Sequence, residues 1–202
     1  MICLSLGHTD FDTLMEHLKY APLAEIRLDL LELSPQHMAA VFGHHRNLIA
    51  TCRAASPAAV YRQAIDLGCA LIDVDIRTPE VDVIAKYAKS NGCQVIMSFH
   101  DFERTPQRAD LLRIVGDMRQ RGADIVKLAC MAQQPADAHT MLSLYDADID
   151  LPLISFAMGE YGLKSRPLSV MLGAPFAYAC AEGCATAPGQ PTFALLRRML
   201  GC

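Results

Sequence analysis

The stretch Ala123-Asp124-Ile125-Val126-Lys127-Leu128-Ala129 follows Arg121-Gly122 and is a short apolar run, β-branched at its start. It reads as a buried strand. Alternation across a strand puts Ile125, Lys127 and Ala129 on one face and Val126 and Leu128 on the other. A lysine inside such a run needs a reason, because taking an ammonium out of water is costly. It can pair with a carboxylate or reach out past the strand end. Alternatively, desolvation lowers its pKa and leaves a neutral amine, a nucleophile toward ketones. The run alone leaves both readings open.

Outward from this strand the chain alternates strand and helix. Strands are predicted over 2–6, 25–30, 48–52, 71–76, 95–99, 123–129, 153–156 and 176–180. Helices are predicted over 10–20, 35–41 behind a Ser34 cap, 57–67, 78–89, a stretch between Thr105-Pro106 and 121, 135–145, 162–172 and 192–200. Strict alternation implies a parallel sheet, and eight units imply a single (β/α)8 barrel domain over 1–202. A doubly wound open sheet is the alternative, and no Gly-x-Gly-x-x-Gly after an early strand supports its nucleotide-binding form. Met38, Met118 and Met141 read as core filler on helices.

The totals agree with one soluble domain. The chain has 202 residues, 52% of them hydrophobic, ample for a core. A net charge of -4 argues against nucleic acid or an anionic membrane as partner. No apolar run is long enough to span a bilayer, and the start Met1-Ile2-Cys3-Leu4-Ser5-Leu6 has no basic lead, so no signal peptide is expected. Eight scattered cysteines without a Cys-x-x-Cys pair read as reduced thiols in a cytoplasmic protein. The pair His44-His45 has no cysteine at ligand spacing, and no metal or cofactor is expected.

In a parallel sheet both faces are covered, so strands should be apolar throughout. Several here carry one polar face: Glu25, Arg27 and Asp29; Thr51 and Arg53; Asp73 and Asp75; Ser98 and His100. In a barrel these faces point inward, and their later members lie at the C-terminal mouth, where this fold builds active sites. One cavity then holds Lys127, His100, Arg27, Arg53, Glu25 and one or two aspartates. That set suits imine chemistry on an anionic carbonyl compound.

The same residues resemble a known family. Glu-Ile-Arg-Leu-Asp-Leu at 25–30, Ser-Phe-His-Asp-Phe with Thr-Pro at 98–106, and Ile-Val-Lys-Leu-Ala at 125–129 are similar to type I 3-dehydroquinate dehydratases. So are Ala-Met-Gly-x-x-Gly-x-x-Ser-Arg at 157–166, which contains Met158, and Ala-Pro-Gly-Gln at 187–190. The resemblance implies a (β/α)8 barrel, commonly a homodimer, that converts 3-dehydroquinate to 3-dehydroshikimate in the shikimate route without a cofactor. It implies a Schiff-base lysine at Lys127 and a general acid–base histidine at His100. It implies substrate contacts from Glu25, Arg27 and Arg53, a carboxylate-binding Arg166, and Thr186 and Gln190 in a lid, with Met158 and Asp73 in support. Asp73 is expected to orient His100. The chain departs from the family's pattern after Arg53, where Ala54-Ala55-Ser56-Pro57 replaces a Glu-Gly-Gly-like loop, and at Thr186, where a serine is usual.

The segment 182–191 has no apolar periodicity and holds Gly183, Pro188, Gly189 and Pro191, so a loop over the mouth is expected. Two other functions stay open on the residues alone. A class I aldolase also uses a barrel lysine, and a carboxylate-binding barrel without turnover would keep the arginines.

Overall fold

A computed structural model describes residues 1–44 and 47–201; His45, named above, and Cys202, the last of the eight cysteines, lie outside the described residues. Strands β1 (Ile2–Leu6), β2 (Ala24–Arg27), β3 (Leu48–Thr51), β4 (Leu71–Asp75), β5 (Gln94–Asp101), β6 (Ile125–Met131), β7 (Leu153–Met158) and β8 (Ala177–Cys180) form one parallel sheet. They alternate with helices α1 (Phe11–Leu18), α2 (Pro35–His44), α3 (Ala58–Asp66), α4 (Val81–Ser90), α5 (Arg108–Gln120), α6 (Pro135–Leu142), α7 (Ser165–Met171) and α8 (Phe193–Leu200). The strand order β7-β6-β5-β4-β3-β2-β1-β8 rolls the sheet into a nearly closed (β/α)8 barrel. The open-sheet alternative falls, because β1 pairs with both β2 and β8.

Local chemistry sets the element ends. Asp10 caps α1 by accepting from the Thr13 N–H at 2.8 Å, and Thr192 caps α8 by accepting from the Leu195 N–H at 3.3 Å. Gln134 and Asp137 form a capping box around Pro135 at the start of α6. The predicted strand over 25–30 is shorter than expected. Beyond Arg27 the chain turns, with the Leu30 N–H donating to the Arg27 carbonyl at 2.9 Å, and this swings Asp29 back onto the Arg27 guanidinium. The helix expected over 162–172 splits into a 3-10 turn at Glu160–Gly162 and α7 proper.

Two apolar layers result. Val126 and Leu128 join the layer between strands and helices, together with Met38, Met118 and Met141. Ile125 and Ala129 join an inner cluster with Ile96, Ile154, Phe156, Met158 and Tyr178 that fills the barrel. Lys127 lies on that inner face, level with Ser98 of β5 and Ile154 of β7.

Between β7 and β8 no ladder forms among the described residues. The outward N–H groups of β7 go instead to side chains: Ser155 N–H to the Tyr145 hydroxyl and Ala157 N–H to the Ser165 hydroxyl, both at 2.9 Å.

Candidate active site

Lys127 is buried, and its ammonium has three neighbours. Asp73 Oδ2 accepts from it at 2.7 Å, Glu25 Oε1 lies at 4.0 Å, and the Tyr178 ring lies beneath it with its centroid 3.8 Å away. Asp73 is fully buried and saturated. Its other oxygen accepts from Arg53 Nη2 at 2.5 Å and from the Ser98 hydroxyl at 2.6 Å. Burial works against this carboxylate, but Arg53, Lys127 and His100 outweigh it and hold it well below the usual range. Arg53 also donates to the Asp73 carbonyl at 3.0 Å. Glu25 accepts from the Ser5 hydroxyl and, at 2.9 Å, from Thr51.

His100 stands one step nearer the mouth on β5. Its Nδ1 lies 3.3 Å from Asp75 Oδ2. A carboxylate can only accept, so Nδ1 carries the proton and Nε2 is left as the basic atom. Burial pushes this imidazole down to about 4, and Arg53 and Lys127 push the same way; the Asp75 hydrogen bond offsets only part. The ring is therefore neutral at working pH, the form a general base requires.

Arg166 sits in the first turn of α7, 2% exposed, with its guanidinium carbon 4.1 Å over the Phe156 ring. Burial pushes it down to about 10. Its Nε and Nη2 meet no hydrogen-bond partner among the described residues. A buried guanidinium with idle donors is the signature of a site for an anion, because leaving it unpaired is costly. It lines the same cavity as Lys127, His100 and Glu25, which has a volume of about 460 Å³. Such a volume suits a small ligand.

The segment 182–191 forms the rim of this cavity and contains no helix or strand over 182–190. Arg27 donates from Nε and Nη2 to the two oxygens of Asp29 and from Nη1 to the Thr186 carbonyl at 3.0 Å. The Thr186 hydroxyl contacts Ser5 at 2.7 Å and Gln190 Oε1 at 3.0 Å. The two polar residues of the loop thus bond to each other, and Thr186 bonds to the early strands.

The residues singled out from sequence converge. Lys127, His100, Glu25, Arg27, Arg53, Arg166, Thr186, Gln190 and Met158 all line the one cavity, with Asp73 directly beneath Lys127. One expectation is corrected: Asp73 does not contact His100. Its oxygens are taken by Lys127, Arg53 and Ser98, and Asp75, two residues nearer the mouth, makes the contact. Alternation marks Asp75 as inward-facing, but only the register, which sets Asp75 opposite Ser98, selects it over Asp73. Sequence reasoning also missed Ser5 and Tyr178. Tyr178 gives no signal in an apolar strand, and its hydroxyl meets no partner among the described residues.

Fold and site together define a (β/α)8 barrel enzyme with a buried lysine at its centre and a waiting cation at its mouth. The model of the type I 3-dehydroquinase family matches residues 2–202. A 3-dehydroquinate dehydratase of Desulfotalea psychrophila is 34% identical over 215 residues, covering 97% of this chain and 95% of its own. One from Dehalococcoides mccartyi is 31% identical over 186 residues, covering 86% of this chain and 82% of its own. Among solved structures, a type I 3-dehydroquinate dehydratase from Clostridium difficile superposes with a TM-score of 0.86 at 23% identity, over 99% of this chain and 90% of that one. The Aquifex aeolicus enzyme gives 0.82 at 21% identity, over 100% and 97%. At these identities the structural likeness speaks for the fold. The chain belongs to the type I 3-dehydroquinase family.

Proposed function

We propose that this chain dehydrates 3-dehydroquinate to 3-dehydroshikimate through an imine on Lys127. The observation that carries the reading is the pairing, in one cavity, of a buried lysine with a neutral histidine and an unpaired buried arginine. The amine sheds a proton and attacks the C3 ketone, and the carbinolamine loses water to give an iminium. Glu25 Oε1, 4.0 Å away, is the base in reach of that first proton, while Asp73 holds the lysine in place. The iminium draws electrons from C2, where a ketone would draw them weakly. Nε2 of His100 takes the C2 proton and returns it to the C1 hydroxyl, which leaves as water. Hydrolysis of the iminium then frees the conjugated ketone and restores the lysine. Acid–base help of this kind contributes roughly 10²–10⁴-fold. Arg166 pairs with the substrate carboxylate through its idle donors.

An ultraviolet assay for the conjugated enone tests the activity, and borohydride tests the route. Parent protein mixed with 3-dehydroquinate is expected to form enone and, when reduced, to hold one adduct on the peptide of Lys127. Lys127→Ala is expected to lose both. An adduct on Lys164 would sink the assignment. A binding barrel without turnover, the reading the Lys127–Asp73 pair would favour, gives neither enone nor adduct.

We take residues 1–202 as one catalytic domain and the protein as cytoplasmic; among the described residues no helix is long and apolar enough to cross a membrane, and seven cysteines are free. We also take the assembly as a homodimer, for which Leu168 and Met171 on α7 and Leu172 just after it offer an exposed apolar surface. A monomer in sedimentation at micromolar concentration would remove the last reading.

A further inference from the structure

Arg77 follows β4 at the mouth and has no part in the chemistry above. Its side chain is 57% exposed, yet two of its three guanidinium nitrogens are engaged. Nε donates to Asp75 Oδ1 at 3.0 Å and Nη2 to Asp75 Oδ2 at 3.1 Å. Nη2 also donates to the His100 carbonyl at 2.8 Å, and the guanidinium carbon lies 5.0 Å over the Phe99 ring. Exposed ion pairs contribute little unless the geometry is of this bidentate kind. Here the fork closes on the carboxylate that touches His100. We propose that Arg77 is a positioning residue for the imidazole: it grips both oxygens of Asp75 and shares the carboxylate's charge, so that Asp75 fixes which nitrogen of His100 carries the proton while leaving the ring neutral.

An unshared carboxylate beside a histidine favours the imidazolium, which cannot act as a base. Oδ2 of Asp75 serves two donors, and its contact to Nδ1 is the longer of them, 3.3 Å against 3.1 Å to Arg77. The other charged groups that act on the ring are Asp73 of β4, Arg53 after β3 and Lys127 of β6; Asp75 is in direct contact with it, and Arg77 reaches it through Asp75 and through the His100 carbonyl. When the Arg77 side chain is removed, the Arg77 backbone N–H still donates to Asp75 Oδ1 at 3.0 Å, so the carboxylate stays in place with its charge unshared.

The inference rests on His100 as the proton-transfer group, and its test is chosen to stand apart from that reading. NMR titration of the His100 ring needs no substrate. Arg77→Gln is expected to raise the His100 midpoint by about one pH unit, and the acid limb of kcat/KM is expected to move with it. Arg77→Lys, which keeps charge without the fork, is expected to raise it less. In an Asp75→Asn background, Arg77→Gln is expected to leave the midpoint where Asp75→Asn put it. An unchanged or lowered midpoint in Arg77→Gln overturns the proposal, as does an equal rise in the Asp75→Asn background. So does a change confined to KM with the acid limb in place, which would make Arg77 a reader of substrate charge. If the parent forms no enone, the proposed activity fails while the titration still decides the role of Arg77.

Discussion

His100 connects the site to stability. Its ordinary pKa of 6.5 falls to about 4 in the barrel. Between those values the unfolded chain binds a proton that the folded chain refuses, so stability falls as pH drops through 6.5, and the loss is complete below about 4. Asp73 and Asp75 are also displaced downward, and their contributions are lost only as pH falls through and below the usual carboxylate range, outside this window. At pH 5 the His100 cost is about 2 kcal/mol. Denaturant unfolding at pH 7 and pH 5 should therefore show the parent losing about 2 kcal/mol more than His100→Gln; equal acid sensitivity would mean that the buried ring is not the cause. Lys127 and His100 were legible in the sequence because titratable groups on the inward faces of several strands converge at one barrel mouth, whereas Arg166 was reached only through the family resemblance. Asp75 and Ser5 were not legible, because whether a short side chain reaches its neighbour depends on register and rotamer, and no single strand encodes either.

Among the elements, the rim loop has a backbone that requires glycine at one position. Gly189 has φ +64, and a Cβ there would come within 3.0–3.2 Å of the Gly159 backbone at the end of β7. Gly189→Ala thus meets left-handed strain and a close approach together, which costs about 1–3 kcal/mol. With the loop lifted, Thr186 and Gln190 leave the rim, and KM is expected to rise about tenfold or more while the melting temperature of the barrel holds. A fall in melting temperature with KM unchanged would make this loop structural. The eight strand–helix units were readable because apolar period and Gly/Pro punctuation repeat along the chain. Their ends were less so: β2 stops at Arg27 because Asp29 pairs with that arginine, a tertiary preference that overrides the apolar alternation through Leu30.

At the scale of the whole molecule, the barrel is a rolled sheet held by seven ladders, and its seam at β7 is finished by two hydroxyls. Removing the Tyr145 hydroxyl leaves the buried Ser155 N–H without its acceptor, which costs about 1–3 kcal/mol. Tyr145→Phe should lower the unfolding free energy by that amount, and an unchanged value would show that a water or a shifted strand takes over the bond. The consequence reaches beyond stability. A strand with open donors is a template on which another chain can add its own strand, the first step toward aggregated β-structure. Tyr145 and Ser165 occupy those donors from within the chain, so they act as guards against self-association as well as closing the seam.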